Sequence, residues 1–123
     1  MKTPGVLTAI LLLGCSGAKA TAPNTALPTV TISIAGSGTC AALTPTPTLL
    51  TVNQRYNFKN TTLDTYTVYK NTVQDFTLLP GQSSDDFTFG TPGTFSGYYI
   101  LSPCNPNTGG SQQQGVTIIV TGP

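Results

Sequence analysis

Several residue types that catalytic and metal sites depend on are missing. The sequence contains no histidine and no glutamate, and its only methionine is Met1. A serine or threonine nucleophile normally needs a histidine to activate it, and zinc and copper sites rely on imidazole ligands. Asp85 and Asp86 form the only adjacent carboxylate pair, and neighbouring residues of a strand point to opposite faces. We therefore expect no catalytic residues, no metal site and no cofactor, and we predict that the protein is not an enzyme.

Charge is scarce as well, because charged residues make up only 7% of the 123 residues. Five basic residues stand against four acidic ones, all aspartate, and no basic stripe is present that could neutralise phosphates. This composition argues against a nucleic-acid partner. Threonine, serine, asparagine and glutamine must supply the polar surface, as is common in extracellular domains. The expected partner is an unidentified protein or a glycan.

The first twenty residues have the pattern of an export signal. Lys2 precedes an apolar run over residues 6–13, which is too short to span a bilayer. Two cleavage interpretations remain open. Ala18-Lys19-Ala20 fits an ordinary signal peptidase site and makes residues 1–20 the signal peptide. Leu12-Leu13-Gly14-Cys15 resembles a bacterial lipobox, which would remove residues 1–14 and place a lipid on Cys15. Either cut predicts an exported protein, and the lipid would be its only attachment to a membrane.

Both cleavage sites leave Cys40 and Cys104 as the remaining cysteine pair. In an oxidising compartment two such residues most often bond to each other. The disulfide would close a loop of about sixty residues, which is worth roughly 4 kcal/mol in the chain-entropy model. We therefore predict a Cys40–Cys104 disulfide.

Short runs of β-branched and aromatic residues alternate with polar ones, which is typical of half-buried strands. After a Pro/Thr linker over residues 21–28, this pattern predicts one β-sandwich over residues 29–123. No window has helical periodicity. Seven to eight strands are predicted, one of them over residues 49–52. The positions that share a face in the other strands are Val30, Ile32 and Ile34; Tyr56 and Phe58; Tyr66 and Val68; Phe76 and Leu78; Phe87 and Phe89; Phe95, Gly97 and Tyr99; Val116, Ile118 and Val120.

From about Thr48 to Val120 the order of motifs resembles that of the cupredoxins. The most telling elements are Leu79-Pro80-Gly81-Gln82-Ser83 and Pro92-Gly93-Thr94-Phe95. The resemblance implies an all-β, antiparallel or mixed Greek-key sandwich. The family's copper site needs two imidazoles, a thiolate and a weak axial ligand. The matching motifs put the first histidine position on Tyr66, the cysteine position on Tyr99 and the second histidine position near Ser102. The resemblance thus implies the fold without its copper site.

Two surfaces are candidates for binding. Tyr69 and Tyr98 fall on the outward parity of their predicted strands, and tyrosine gives a large contact area with a hydrogen-bonding tip. A neutral polar loop follows Cys104, and its candidate contact residues are Asn105, Gln112, Gln113 and Gln114. Asn60-Thr61-Thr62 also fits the N-glycosylation acceptor pattern.

Two functional hypotheses follow. The first is a non-catalytic, exported module with a binding or envelope role at the cell surface or in the periplasm. The alternative is a threonine-rich subunit of an extracellular fibre or coat that self-assembles through strand edges. In that case residues 21–35 would add to the sheet of a neighbouring copy.

Overall fold

The structure is a computed structural model that describes residues 27–37, 40–104 and 110–122. The signal peptide, Cys15, linker residues 21–26 and Asn105 lie outside the described residues. The described residues include no helix with the length and hydropathy needed to span a bilayer. The described strands are β1 (Val30–Ser37), β2 (Cys40–Thr44), β3 (Thr48–Thr51), β4 (Tyr56–Asn60), β5 (Tyr66–Lys70), β6 (Val73–Leu78), β7 (Gly93–Ser102) and β8 (Gln112–Thr121).

The strands form two sheets, which confirms the predicted all-β, mixed sandwich. The smaller sheet has the order β2-β1-β4, and the larger one has the order β3-β8-β7-β5-β6. The pairings β1–β4 and β3–β8 are parallel, and the others are antiparallel. The Pro/Thr stretch after β2 carries the chain from the smaller sheet to the larger one.

The prediction of a strand at Phe87 and Phe89 is wrong. This segment runs beside β4 and makes only two isolated bridges to it, Tyr56 with Phe87 and Lys59 with Ser83. The Phe58 N–H donates to the Ser84 hydroxyl at 2.9 Å. In a continuous ladder the acceptor would be a backbone carbonyl. The segment therefore covers the edge of β4 without becoming a strand.

Strand β2 was not predicted, because the glycines around it indicated a break in the chain. Gly36 lies inside β1 and pairs with Ala41 of β2. Its φ is 142°, and a Cβ atom there would collide with the Cys40 carbonyl oxygen. Glycine thus permits the close approach of the two strands and does not end the first.

The core lies between the sheets and is strongly aromatic. Phe58 and Tyr56 are buried at its centre, and the Phe58 ring lies 4.9 Å from that of Tyr98. The other buried apolar side chains come from both sheets: Ile32, Ile34, Ala41, Leu43, Leu50, Val68, Leu78, Ile100, Val116, Ile118 and Val120. Most inward positions predicted from the alternation are therefore confirmed.

A β-bulge in β7 reverses the parity of that strand. Ser96 pairs with Thr117 and Tyr99 pairs with Gly115, so two residues of β7 oppose Val116 alone. The extra residue shifts every later side chain to the other face. Phe95 is inward before the bulge, whereas Tyr98, Ile100 and Ser102 are buried after it.

Strand β1 is the central strand of its sheet and pairs on both sides, with β2 and with β4. Residues 30–35 can therefore add to the sheet of a neighbouring copy only by leaving their own partners. This placement weakens the strand-donation form of the fibre hypothesis for that part of the segment.

Candidate functional site

One end of the sandwich holds the cysteine pair and two of the three positions that the cupredoxin resemblance assigned to ligands. Cys40 and Cys104 form a disulfide, as predicted. Ser102 is fully buried at the end of β7, and its Oγ accepts the Ala41 N–H at 2.8 Å. Tyr66 is half-buried at the start of β5 and lines a cavity of about 350 Å³ together with Cys40. We call this region the disulfide end.

Asn60 shapes the loop that leads to Tyr66. Its side chain is 0% exposed. Nδ2 donates to the Asp64 carbonyl at 2.6 Å and to the Leu78 carbonyl at 3.0 Å. Oδ1 accepts from the N–H and the hydroxyl of Thr62, at 2.9 and 2.7 Å. Both amide hydrogens are therefore used inside the fold, so in the folded domain this asparagine is a structural residue and not an accessible glycan acceptor.

Two tyrosine assignments are corrected by the β7 bulge. Tyr98, which we expected on the outer face, is 6% exposed and belongs to the core. Tyr99, which we expected at the cysteine-ligand position, lies on the outer face of the larger sheet and stacks on Tyr69. The disulfide end therefore contains Tyr66 and Ser102 but not Tyr99.

The interior placement of Tyr98 creates a buried tyrosine pair. Its hydroxyl oxygen lies 3.3 Å from that of Tyr56, and the two groups share a hydrogen bond. Burial, and then the hydrogen bond to Tyr98, raise the pKa of Tyr56 far above its usual range. Lys70 Nζ lies 5.3 Å from the centroid of the Tyr98 ring, at the distance of a cation–π contact. Sequence parity could not reveal this pair, because it depends on the bulge.

The outer face of the larger sheet carries the second candidate site. The rings of Tyr69 and Tyr99 stack with centroids 5.1 Å apart and planes inclined by 7°. Gly115 lies directly opposite Tyr99 on β8 and leaves a shallow depression of about 240 Å³. We call it the Tyr99 trough. It is lined by Ser96, Gly97, Tyr98, Tyr99, Gln113, Gly115, Val116 and Thr117.

The three glutamines lie in β8 and not in a loop, which corrects their predicted placement. Only Gln113 is exposed, and it belongs to the Tyr99 trough. Gln112 and Gln114 are half-buried on the opposite parity, and Gln112 Nε2 donates to the Gly110 carbonyl at 2.6 Å. Of the predicted surface residues within the described ranges, Tyr69 and Gln113 lie on the outer face.

Comparison with known proteins identifies the fold. No protein-family model matches the sequence, and no curated protein is significantly similar to it. Solved cupredoxin structures do match the fold. A mutant of amicyanin in its reduced Cu(I) form at pH 4 has a TM-score of 0.52 at 14% identity, covering 78% of this chain and 85% of that one. A purple cupredoxin from Nitrosopumilus maritimus has a TM-score of 0.50 at 12% identity, covering 75% of this chain and 99% of that one.

A copper-containing nitrite reductase from Thermus scotoductus SA-01 is similar over about a quarter of its length. The TM-score is 0.54 at 22% identity, and the match covers 87% of this chain but 24% of that one. The sandwich is therefore cupredoxin-like, as the motifs implied. Identities this low establish the fold alone.

The residues at the disulfide end do not fit the copper that this fold implies. A cupredoxin site needs two imidazoles and a thiolate, whereas the sequence has no histidine and both sulfurs at this end are joined in the disulfide. The Ser102 oxygen already accepts a backbone hydrogen bond. Across residues 27–37, 40–104 and 110–122, no three His, Cys, Asp or Glu side chains cluster to hold a metal ion.

Proposed function

We propose that this protein is a non-catalytic, exported module with the cupredoxin fold that acts by binding and has no copper site. The observation that carries the proposal is the state of the donor atoms at the disulfide end. The Cys40 and Cys104 sulfurs are bonded to each other, and the Ser102 hydroxyl accepts a hydrogen bond from the Ala41 N–H. Where a copper-binding cupredoxin has metal ligands, this end has a disulfide and a hydrogen bond that link the two sheets.

Two further features support export. A disulfide between the two remaining cysteines is typical of an oxidising compartment. The first twenty residues have the charge and apolar run of a signal peptide. Together they favour a location at the cell surface or in the periplasm.

The absence of a copper site is tested by metal analysis. The protein is purified with its disulfide intact from cells grown in copper-supplemented medium, and bound copper is measured by mass spectrometry. We expect far less than one copper ion per chain, and no saturable binding when Cu(II) is titrated into the oxidised protein. Tight binding of one copper per oxidised chain would refute the proposal. The Cys40→Ala/Cys104→Ala variant is the control for copper captured by thiols of incompletely oxidised protein.

Export is tested by the intact mass of the native protein. A chain that begins at Thr21 confirms ordinary cleavage, and a diacylglyceryl group on Cys15 confirms the lipoprotein interpretation. Recovery of the uncleaved chain from the cytoplasm, with both cysteines reduced, would contradict export.

A further inference from the structure

The Tyr99 trough places one face of the Tyr99 ring opposite a residue that has no side chain. Side chains stand roughly perpendicular to a sheet. When two rings on neighbouring strands stack, each ring therefore covers the face of the other that is turned toward it. The Tyr69 ring covers the face of Tyr99 that points toward β5. The other face points toward β8, where Gly115 is the directly paired residue. Because glycine has no side chain, the directly paired residue leaves this face uncovered.

Neither the backbone nor steric crowding requires glycine at position 115. Its φ lies outside the left-handed region, and a Cβ atom built there would lie 3.5 Å from the Tyr98 carbonyl oxygen, an ordinary contact. Gly97 on the adjacent strand differs, because the Asn71 side chain already occupies the space that a Cβ atom would take. The opening above Gly115 is therefore a feature of this surface and not a demand of the fold.

The chemistry of the lining selects a neutral ligand. Among the described residues no charged one lines the trough, so an anion or a cation would find no counter-charge there. The polar groups are the exposed Gln113 amide and the hydroxyls of Ser96 and Thr117, which flank the Tyr99 ring. A flat apolar face beside neutral hydrogen-bonding groups matches a sugar ring, which has C–H groups on its faces and hydroxyls around its rim. The bases of a single-stranded nucleic acid also stack on aromatic rings, but the phosphates of the strand would find no basic residue in the trough.

We propose that the Tyr99 trough binds a neutral glycan. One sugar ring stacks on the open face of Tyr99, while Gln113 and Thr117 hydrogen-bond to its hydroxyls. The depression of about 240 Å³ accommodates one ring of a longer chain, whose neighbouring units continue over the exposed sheet. This inference rests on the proposed function as a binding module and names the class of its ligand.

Affinity electrophoresis of the full, disulfide-bonded protein tests the proposal. The protein migrates in native gels that contain a soluble β-glucan, a galactomannan or a neutral arabinoxylan, with alginate as the charged polysaccharide. We expect at least one neutral polysaccharide to retard the protein and alginate not to do so. Failure of all three to retard it, or retardation by alginate alone, would overturn the proposal.

Variants separate the trough from other surfaces. Tyr99→Ala removes the ring and Gly115→Leu fills the space above it, and each should weaken retardation at least tenfold. Tyr99→Phe keeps the ring and should remain within about threefold of the wild type. Thr94→Leu adds the same side chain at an exposed position of β7 outside the trough and should have no effect. Unchanged retardation of Gly115→Leu would place the glycan elsewhere and refute the assignment.

Thermal unfolding of each variant shows whether a lost interaction reflects lost folding, and Gly115→Leu provides the second test if Tyr99→Ala is unstable.

The result of the electrophoresis is also separable from the test of the proposed function. A copper-free, exported protein that none of the neutral polysaccharides retards would refute the glycan assignment alone. A stoichiometric copper site would refute the proposed function whatever the gels show.

Discussion

Replacing Asn60 by aspartate should make the stability of the domain depend strongly on pH. The wild-type amide donates to two backbone carbonyls, those of Asp64 and Leu78. The Asn60 side chain is 0% exposed. An ionised carboxylate in its place would be buried and would face both carbonyl oxygens. Burial and these two oxygens therefore raise the pKa of the carboxyl in the folded variant well above its unfolded value of about 3.9.

The sign and the size of the effect follow from proton linkage. Below about pH 3.9 both states hold the proton, and the variant loses only about 1 kcal/mol because one O–H replaces two N–H donors. As the pH rises, the unfolded state releases its proton while the folded state keeps it. Stability then falls by up to about 1.4 kcal/mol per pH unit until the folded pKa is reached. The upper limit of the total loss at pH 7 is about 5 kcal/mol, a large share of the 5–15 kcal/mol typical of a domain.

Urea unfolding followed by far-UV circular dichroism at pH 4, 5.5 and 7 measures this dependence. Asn53→Asp is the matched control, because Asn53 is exposed and already has a positive φ of 66°, which aspartate tolerates. The reasoning would be refuted if Asn60→Asp stayed within 0.5 kcal/mol of that control at all three pH values. If the variant is unfolded at pH 7, refolding on acidification to pH 4 supplies the same test.

Three other substitutions probe the fold. Thr72→Gly should raise the free energy of unfolding by about 1 kcal/mol in urea titrations, because Thr72 has φ 74° in the β5–β6 turn and glycine adopts this conformation without strain; a loss of stability would contradict this. Gly97→Ala should cost about 1–3 kcal/mol by forcing the Asn71 side chain away from the bulge, and an unchanged urea midpoint would show that the side chain moves freely. Cys40→Ala/Cys104→Ala opens a link spanning 64 residues and should cost about 4 kcal/mol, whereas a loss below 1 kcal/mol would indicate strong residual structure in the unfolded chain.

Local alternation was sufficient to predict most strands and most of the core. Ile32, Phe58 and Ile118 are buried as the period-two pattern indicated. The pattern failed at two segments whose pairing the alternation does not encode. The segment around Phe87 follows β4 through isolated bridges, and β2 depends on a close approach that Gly36 permits.

The candidate sites were predicted only in part, because both depend on β7. A two-residue alternation projected through Phe95, Gly97 and Tyr99 assigns the second half of the strand to the wrong face. The bulge opposite Val116 arises from the pairing with β8, and the Asn71 side chain packs against Gly97 within it. No local pattern records those contacts, so the exchange of roles between Tyr98 and Tyr99 was not foreseeable from this strand alone.

Composition sets which donor atoms are available. Because the sequence has no histidine, the two imidazole ligands of a cupredoxin copper site cannot be supplied whatever the backbone does. Where the other side chains lie depends on long-range strand pairing. In the folded domain Asn60 is buried and makes four hydrogen bonds, Tyr98 lies in the core, and Tyr99 pairs with Gly115, which has no side chain. The two differ because side-chain orientation in a sheet depends on register, which non-local pairing sets, whereas donor chemistry depends only on composition.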